Sequence, residues 1–380
     1  MFEDIRPYND AQASAALRRV AGHPALESIS RFLYPSLDPS FLRETLSSIT
    51  GVDDFQTRVM YDAVKSIIEK TTDGLTFGGL EHFIDNPSKR YLLLGNHRDI
   101  VLDSAFLQFI LKDNHLPLSE IAVGDNLVGQ SFVEDLMRSN RMVKVVRTGT
   151  PRELYMCSLS LSSYIRRRIT GASLDSEEGR EPDGGASIWV AHRQGRTKDG
   201  HDRTEQGLLK MLSLSSDAPF AEQFSQLCIM PVSISYEYEP CALRKALELW
   251  KKSLDGVYKK APNEDLESII TGITQYKGKV HMEFCKPIED SELQSITNPV
   301  ANERFRVLAE IIDQRIVSSY RIFGTSVEAA RMLDGEAVPG AFADYLEAEL
   351  AKAPESCDRE AVRKRMLETY AAPYLRKEKM

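Results

Sequence analysis

The chain has 380 residues, of which 42% are hydrophobic, 27% charged and 8% aromatic, the balance of a globular protein with a packed core and not of a disordered or fibrous one. Its 48 Lys and Arg against 56 Asp and Glu leave a formal charge of −8, which argues against a general nucleic-acid binder. No window reaches the roughly 18 consecutive apolar residues of a bilayer-spanning helix; the best stretch, Val101 to Leu111, is interrupted by Asp103, Ser104 and Gln108.

The N-terminus lacks the basic and apolar regions of a signal peptide. The five cysteines (Cys157, Cys228, Cys241, Cys285 and Cys357) are odd in number and form no CxxC pair. They read as reduced thiols of a cytoplasmic protein, with neither a disulfide framework nor a metal site. Cys241 and Cys285 read as buried small hydrophobes. His192 and His201 are too far apart and too poorly accompanied to be metal ligands. The acidity is unevenly spread: Arg141 to Arg168 holds seven bases and one acid, whereas Leu333 to Glu360 holds eight acids and two bases. A local positive field in an acidic chain points to an anionic substrate or an anionic membrane surface.

Over residues 1–85, apolar positions recur three and four apart in segments beginning at Ala11 and Phe55, with Pro24, Pro35, Pro39 and Gly51 between segments. This pattern predicts a small N-terminal helical domain that leaves through a turn-rich passage at 71–79. From residue 86 to 325 short apolar runs alternate with helical spans. The runs are 90–95, 120–124, 142–146, 187–191, 227–235 and 279–284. Strands of this kind separated by helices predict an α/β domain with a mostly parallel mixed sheet covered by helices. Gly171 to Gly185, with four glycines and a proline, has the composition of a mobile loop. Residues 326–380 read as a helical C-terminal extension.

The most informative segment is Tyr91 to Leu111, where a hydrophobic strand runs into Gly95-Asn96-His97 and a helix follows. His97 is thereby placed at the C-terminal end of a strand, where open α/β sheets put their ligands. Asp99 and Asp103 lie at the start of that helix, one of them close enough to accept the imidazole N–H. A carboxylate so placed fixes the tautomer and leaves the other ring nitrogen to take a proton from a hydroxyl. On its own the pair also reads as a capping aspartate beside a polar loop histidine.

Two further strand ends carry cations. After the run 187–191 comes a glycine turn bearing Arg193, Arg196 and Lys198, and alternate cations on a tight turn can be aimed at one phosphate. Arg147 directly follows the run 142–146. A base beside a phosphate pocket is the arrangement these ends favour. The helix segment Tyr164 to Arg168 with three successive arginines could meet lipid headgroups or an acidic carrier protein, although three in a row cannot share one face and more often are solvated.

Asn96-His97-Arg98-Asp99-Ile100-Val101-Leu102-Asp103 resembles the HxxxxD block of the glycerolipid acyltransferases, with one residue inserted. The resemblance continues through Ala122 to Leu127, Val145 to Arg147, Ile188 to Lys198 and the proline-containing run Ile229 to Tyr236, covering roughly residues 88–240. A helical N-terminal portion before an α/β domain is similar in layout to the soluble plastid-type glycerol-3-phosphate acyltransferases. The resemblance implies His97 as general base, oriented by Asp103 or, because of the insertion, by Asp99; the continuation of Leu102-Asp103-Ser104-Ala105 into the helix favours Asp103. It implies Arg147, Arg196, Lys198 and Arg193 as phosphate-binding residues. The third block departs from the common EGxR form, with Arg193 and Gln194 where the Glu would stand.

The activity implied is direct transfer of an acyl group from acyl-CoA or acyl-carrier protein, as co-substrate and with no other cofactor, to a hydroxyl of glycerol 3-phosphate or 1-acylglycerol 3-phosphate. The implied location is the cytoplasm, with peripheral contact on the inner face of the membrane and no nucleic-acid partner. The same residues would also serve a thioester or ester hydrolase, or a non-catalytic lipid-headgroup binding module.

Overall fold

The structure is a computed structural model and describes residues 2–24, 26–34, 37–38, 40–127, 131–174, 185–261, 263–298 and 300–380. Most of the glycine-rich stretch at 171–185 lies outside these residues. Seven strands form one sheet: β1 (Leu75–Gly78), β2 (Leu92–Gly95), β3 (Glu120–Gly124), β4 (Met142–Val145), β5 (Ile188–Ala191), β6 (Ile229–Tyr236) and β7 (Val280–Phe284). Their spatial order is β1-β7-β6-β2-β5-β3-β4. Every neighbouring pair is parallel except β6 and β7. The fold is therefore α/β, a mostly parallel mixed sheet covered by helices.

The apolar runs make strands because both faces of the sheet are covered. In register, Leu92 lies beside Ile188 and Ile229, and Leu93 beside Trp189 and Met230. The first row enters one core with the helices Pro151–Thr170 and Ala301–Ser318, through Ile165, Leu308 and Ile312. The second row enters the core on the opposite face with the helix Leu102–Asp113, through Phe106 and Ile110. Leu92, Leu93 and Leu94 are fully buried, and each such side chain contributes about 1.5–3 kcal/mol relative to exposure. A two-residue period split between two cores is how a continuous apolar run serves a central parallel strand.

β1 falls within the passage whose residues read as turn. It is four residues long, Leu75-Thr76-Phe77-Gly78, and among the described residues has β7 as its only strand neighbour. Thr and Gly carry no alternation that would announce a strand; tertiary pairing supplies it, with backbone bonds Asp73 to Gly278 and Val280 to Gly74 framing the register.

Around the sheet, Leu17, Leu42, Leu46 and Phe55 of the N-terminal helices and Ile49 of a connection between them form a cluster with Phe132 and Leu136 packed against it. Ala246 of the helix Ala242–Asp255 packs with Leu346, Val362 and Met366 of the last two helices, Ala341–Leu350 and Arg359–Lys377. Of the three successive arginines of the basic helix, two are buried. Arg166 is buried and donates to the carbonyls of Leu212 and Gln223 at 3.1 and 2.7 Å. Arg168 is buried and pairs with Glu120 at 2.9 Å. These two tie their helix to the sheet and to the following helices, a role the spacing alone did not reveal.

Candidate active site

Strands β2 to β6 run in the same direction, so their C-terminal ends converge on one rim. That rim receives His97 after β2, Asp125 after β3, Arg147 after β4, the 192–198 turn after β5 and Glu237 to Glu239 after β6. A backbone bond from Thr197 N to the His97 carbonyl, 2.7 Å, ties the first segment to the cation-bearing turn. Asn96 lies between them and the sheet. Its side-chain amide exchanges bonds with the backbone of Ile234 at 2.8 and 3.0 Å and so continues the ladder where β2 ends.

His97 Nδ1 lies 2.9 Å from Asp103 Oδ2. The same carboxylate oxygen accepts from the backbone N–H of Arg98 and of Asp99 at 2.7 and 2.9 Å, and Tyr236 donates its hydroxyl to Oδ1 at 2.8 Å. With four donors about it, and 2% exposed, Asp103 is held as a carboxylate acceptor in a fixed position. The six-residue separation from His97 is absorbed because the intervening turn folds its own N–H groups onto that carboxylate. Asp99, the alternative partner, is occupied elsewhere: its Oδ1 accepts from Val101 N and Leu102 N at 2.9 and 2.8 Å, as a cap of the helix that follows. Burial and the neighbouring Asp103 push the Asp99 carboxyl up from its ordinary value.

His97, Arg147, Arg196 and Lys198 line one cleft of about 110 Å³, together with Trp189, Lys260 and Asp265. Arg147 reaches it over Gly124, where a Cβ would meet its guanidinium at 2.6 Å, so any larger residue would displace the cation. Burial lowers the Arg147 pKa from its ordinary value. Arg196 Nη1 is buried with no hydrogen-bond partner among the described residues, a donor that the protein itself leaves unsatisfied. Lys198 is already paired with Glu248; burial lowers its pKa against that carboxylate's opposing pull. Lys260 pairs with Asp265 at 2.6 Å. Arg193, the fourth cation expected at this site, is not among the cleft's lining residues. The turn after β5 carries Arg196 and Lys198 to the cleft, beyond Gly195 with its positive φ of 74°.

Beneath the cleft is a buried ionic network. Arg98 donates to Asp202 at 2.8 Å and lies 3.4 Å from Glu239, while Lys245 donates to Glu239 and to the Arg98 carbonyl, both at 2.6 Å. Asp202 also accepts from Thr197, Tyr320 and Asn96. Burial alone would raise the Asp202 carboxyl, but Arg98, His192 and these donors outweigh it and hold it below the usual carboxylate range. Burial also lowers the imidazole of His192 to about 4, so this histidine is neutral at pH 7. None of Asp202, Glu239, Lys245 or Tyr236 was singled out by sequence reading. Tyr236 stood at a recognised strand end, but its 133-residue separation from Asp103 concealed the contact.

A second, apolar cavity of about 60 Å³ adjoins the cleft and shares Ser104 and Ile121 with it. Met60, Tyr61, Val64, Ala105, Phe109 and Leu118 line it. It opens between the helix Leu102–Asp113 and the helical span 52–71, which carries a π-helical segment at Gln56–Met60. Such a bulge rotates its side chains relative to a regular helix and recurs at ligand sites.

A positively charged cleft with a carboxylate-held histidine thus lies at the C-terminal rim of the sheet, the place where open α/β sheets put their ligands. No family model matches the chain, and no curated protein matches it. Among solved structures it is similar to the 1-acyl-sn-glycerophosphate (LPA) acyltransferase PlsC from Thermotoga maritima, with 10% identity, 87% of this chain and 98% of that chain covered, and a TM-score of 0.40. At that identity and score the likeness carries no weight for function.

Proposed function

We propose that the chain is an O-acyltransferase of the glycerolipid type, moving a fatty acyl group from acyl-CoA or acyl-carrier protein to a hydroxyl of glycerol 3-phosphate or 1-acylglycerol 3-phosphate. The observation that carries the reading is the His97 to Asp103 hydrogen bond in a cleft that also holds Arg147 and Arg196. With Nδ1 donating to Asp103, Nε2 takes the acceptor's hydroxyl proton as its oxygen attacks the thioester carbonyl. The tetrahedral centre collapses with loss of the C–S bond, and His97 returns the proton to the departing thiolate. Asp103 stabilises the transient imidazolium. No acyl-enzyme and no other cofactor enter this scheme.

Arg147 and the unsatisfied donor of Arg196 hold the acceptor's phosphate, with Lys198 a lesser contributor because Glu248 competes for it. Anchoring the phosphate orients the hydroxyl and raises its effective concentration. The adjoining apolar cavity, entered past Ser104 and Ile121, has at about 60 Å³ room for only the first carbons of the acyl chain. The reading also gives the chain acyl-donor and lipid-precursor partners.

The test is acyl transfer from palmitoyl-CoA and from palmitoyl-carrier protein to each acceptor, for wild type and His97→Ala, with folding checked by circular dichroism. Transfer that vanishes in His97→Ala is the expected result. Thioester cleavage that proceeds equally without acceptor would replace the reading by a hydrolase. Transfer unchanged in His97→Ala would also overturn it.

A further inference from the structure

The helices Ala242–Asp255 and Glu264–Thr274 form an antiparallel hairpin beside the cleft, joined by Arg244 to Glu267 and Thr271 and by Cys241 to the Ser268 carbonyl. Its inner side is fixed to the site. Lys245 bonds Glu239 and Arg98, Glu248 pairs with Lys198, and Lys260 and Asp265 line the cleft. Its outer end is bare: every residue from Lys251 to Lys260 except Tyr258 is exposed. Gly256, at φ 72°, ends the first helix and turns the chain, so that Leu254 and Val257 flank the bend. These two are 64% and 68% exposed, more than any other large apolar side chain among the described residues. Leu266 and Ile270, one helical turn apart on the second helix, are 55% and 53% exposed.

An apolar tip of this kind costs free energy in water and signals a contact surface. Its rim identifies the contact. Lys251, Lys252 and Lys259 are exposed, none of them is in an ion pair among the described residues, and they outnumber Asp255, the one acid from residue 251 to 260. The chain as a whole carries −8, so a negative surface repels most of the molecule and accepts this end. Lysine stems lie along apolar surface while their ammonium groups stay at headgroup level, and two aliphatic side chains among three lysines and one aspartate, a net positive rim, match the boundary between headgroup and acyl chain.

We propose that the hairpin tip docks on an anionic phospholipid bilayer, with Leu254 and Val257 inserted and Lys251, Lys252 and Lys259 on headgroup phosphates. Lys260 and Asp265 connect this tip to the cleft wall, so docking places the cleft mouth against the bilayer surface. The inference deepens the acyltransferase reading by naming the surface on which a lipid acceptor or product is exchanged. Its only reliance on that reading is for the purpose of docking; the binding itself requires no turnover.

The test is co-sedimentation of the full chain with phosphatidylcholine vesicles, with and without phosphatidylglycerol, at low and high salt. Wild type should bind the anionic vesicles, less at high salt. Lys251→Gln, Lys252→Gln and Lys259→Gln together should weaken partitioning about a hundredfold, since each surface lysine is worth about fivefold. Leu254→Asp with Val257→Asp should abolish binding, whereas Ile84→Asp, an equally exposed position outside the hairpin, should not. Each variant should melt cooperatively and transfer from a water-soluble short-chain donor as wild type does. Failure of wild type to bind, or equal binding by the tip variants, would overturn the proposal whether or not transfer is observed. Binding of an acidic acyl-carrier protein, lost in the same variants while vesicles are ignored, would overturn it in favour of a protein partner.

Discussion

Replacing Asp103 by Asn separates the charge of this residue from its shape. In the native site Oδ2 takes three donors and Oδ1 takes the Tyr236 hydroxyl. Asn keeps one carbonyl oxygen for the Oδ2 position, and its NH₂ faces a tyrosine hydroxyl that can rotate to accept. The turn between His97 and the helix is therefore retained, and the loss of charge-assisted strength costs stability of about 1–3 kcal/mol. The imidazolium formed during proton transfer loses its counter-charge, and kcat should fall by about 10³–10⁴ with acceptor KM little changed. Asp103→Ala should instead strand two buried backbone donors and lose about 2–6 kcal/mol at about 1–3 per group. Asp99→Asn gives the contrast: Asn caps a helix about as well as Asp, so stability changes little and kcat stays near wild type. The assay is steady-state transfer at saturating donor, with urea unfolding of each variant. Asp103→Asn transferring at the wild-type rate, or Asp99→Asn losing as much as Asp103→Asn, would refute the assignment of Asp103 as the group that orients His97.

Arg147→Ala and Arg196→Ala should each raise the KM for the phosphorylated acceptor by about 10- to 100-fold, the worth of a hydrogen bond to a charged group; an unchanged KM for both would remove the phosphate from this cleft. Ala105→Phe fills the small cavity behind Ser104, so transfer should fall for donors of every chain length, and unaltered transfer would show that the first acyl carbons lie elsewhere. His192 titrates at about 4 when folded against an ordinary 6.5. Unfolding below pH 6.5 therefore takes up a proton, and the stability due to this group is complete above 6.5 and lost as pH falls toward 4. Over that interval it amounts to about 3 kcal/mol, at about 1.4 kcal/mol per unit. Urea unfolding at neutral and acidic pH should show a shallower decline in His192→Gln, and an equal decline in both proteins would count against a buried neutral imidazole.

Much was legible in the chain because its signals are local. Six strands announced themselves as Val, Ile and Leu runs between helical spans, and a mostly parallel arrangement followed from their alternation with helices. His97, Arg147 and the 192–198 turn were singled out because each follows such a run, and a strand's C-terminal end is an address readable from sequence. Where pairing is distant the signal disappears. β1 has no pattern of its own and exists because β7 lies beside it. Arg166 and Arg168 looked like surface charge, since nothing nearby in sequence reveals that Glu120 and the carbonyls of Leu212 and Gln223 receive them.

By itself, then, the sequence determined the α/β class, the strand set apart from its edge, and which residue types arrive at the sheet's rim, because backbone period and strand ends are properties of adjacent residues. Only the tertiary structure shows His97 against Asp103 and Asp99 on the helix N–H groups, leaves Arg193 out of the cleft, matches Lys198 with Glu248, and sets Tyr236, Asp202 and Glu239 beneath the site. Those outcomes depend on which groups the fold brings together in space, a competition among residues as many as 141 positions apart that no local spacing can rank.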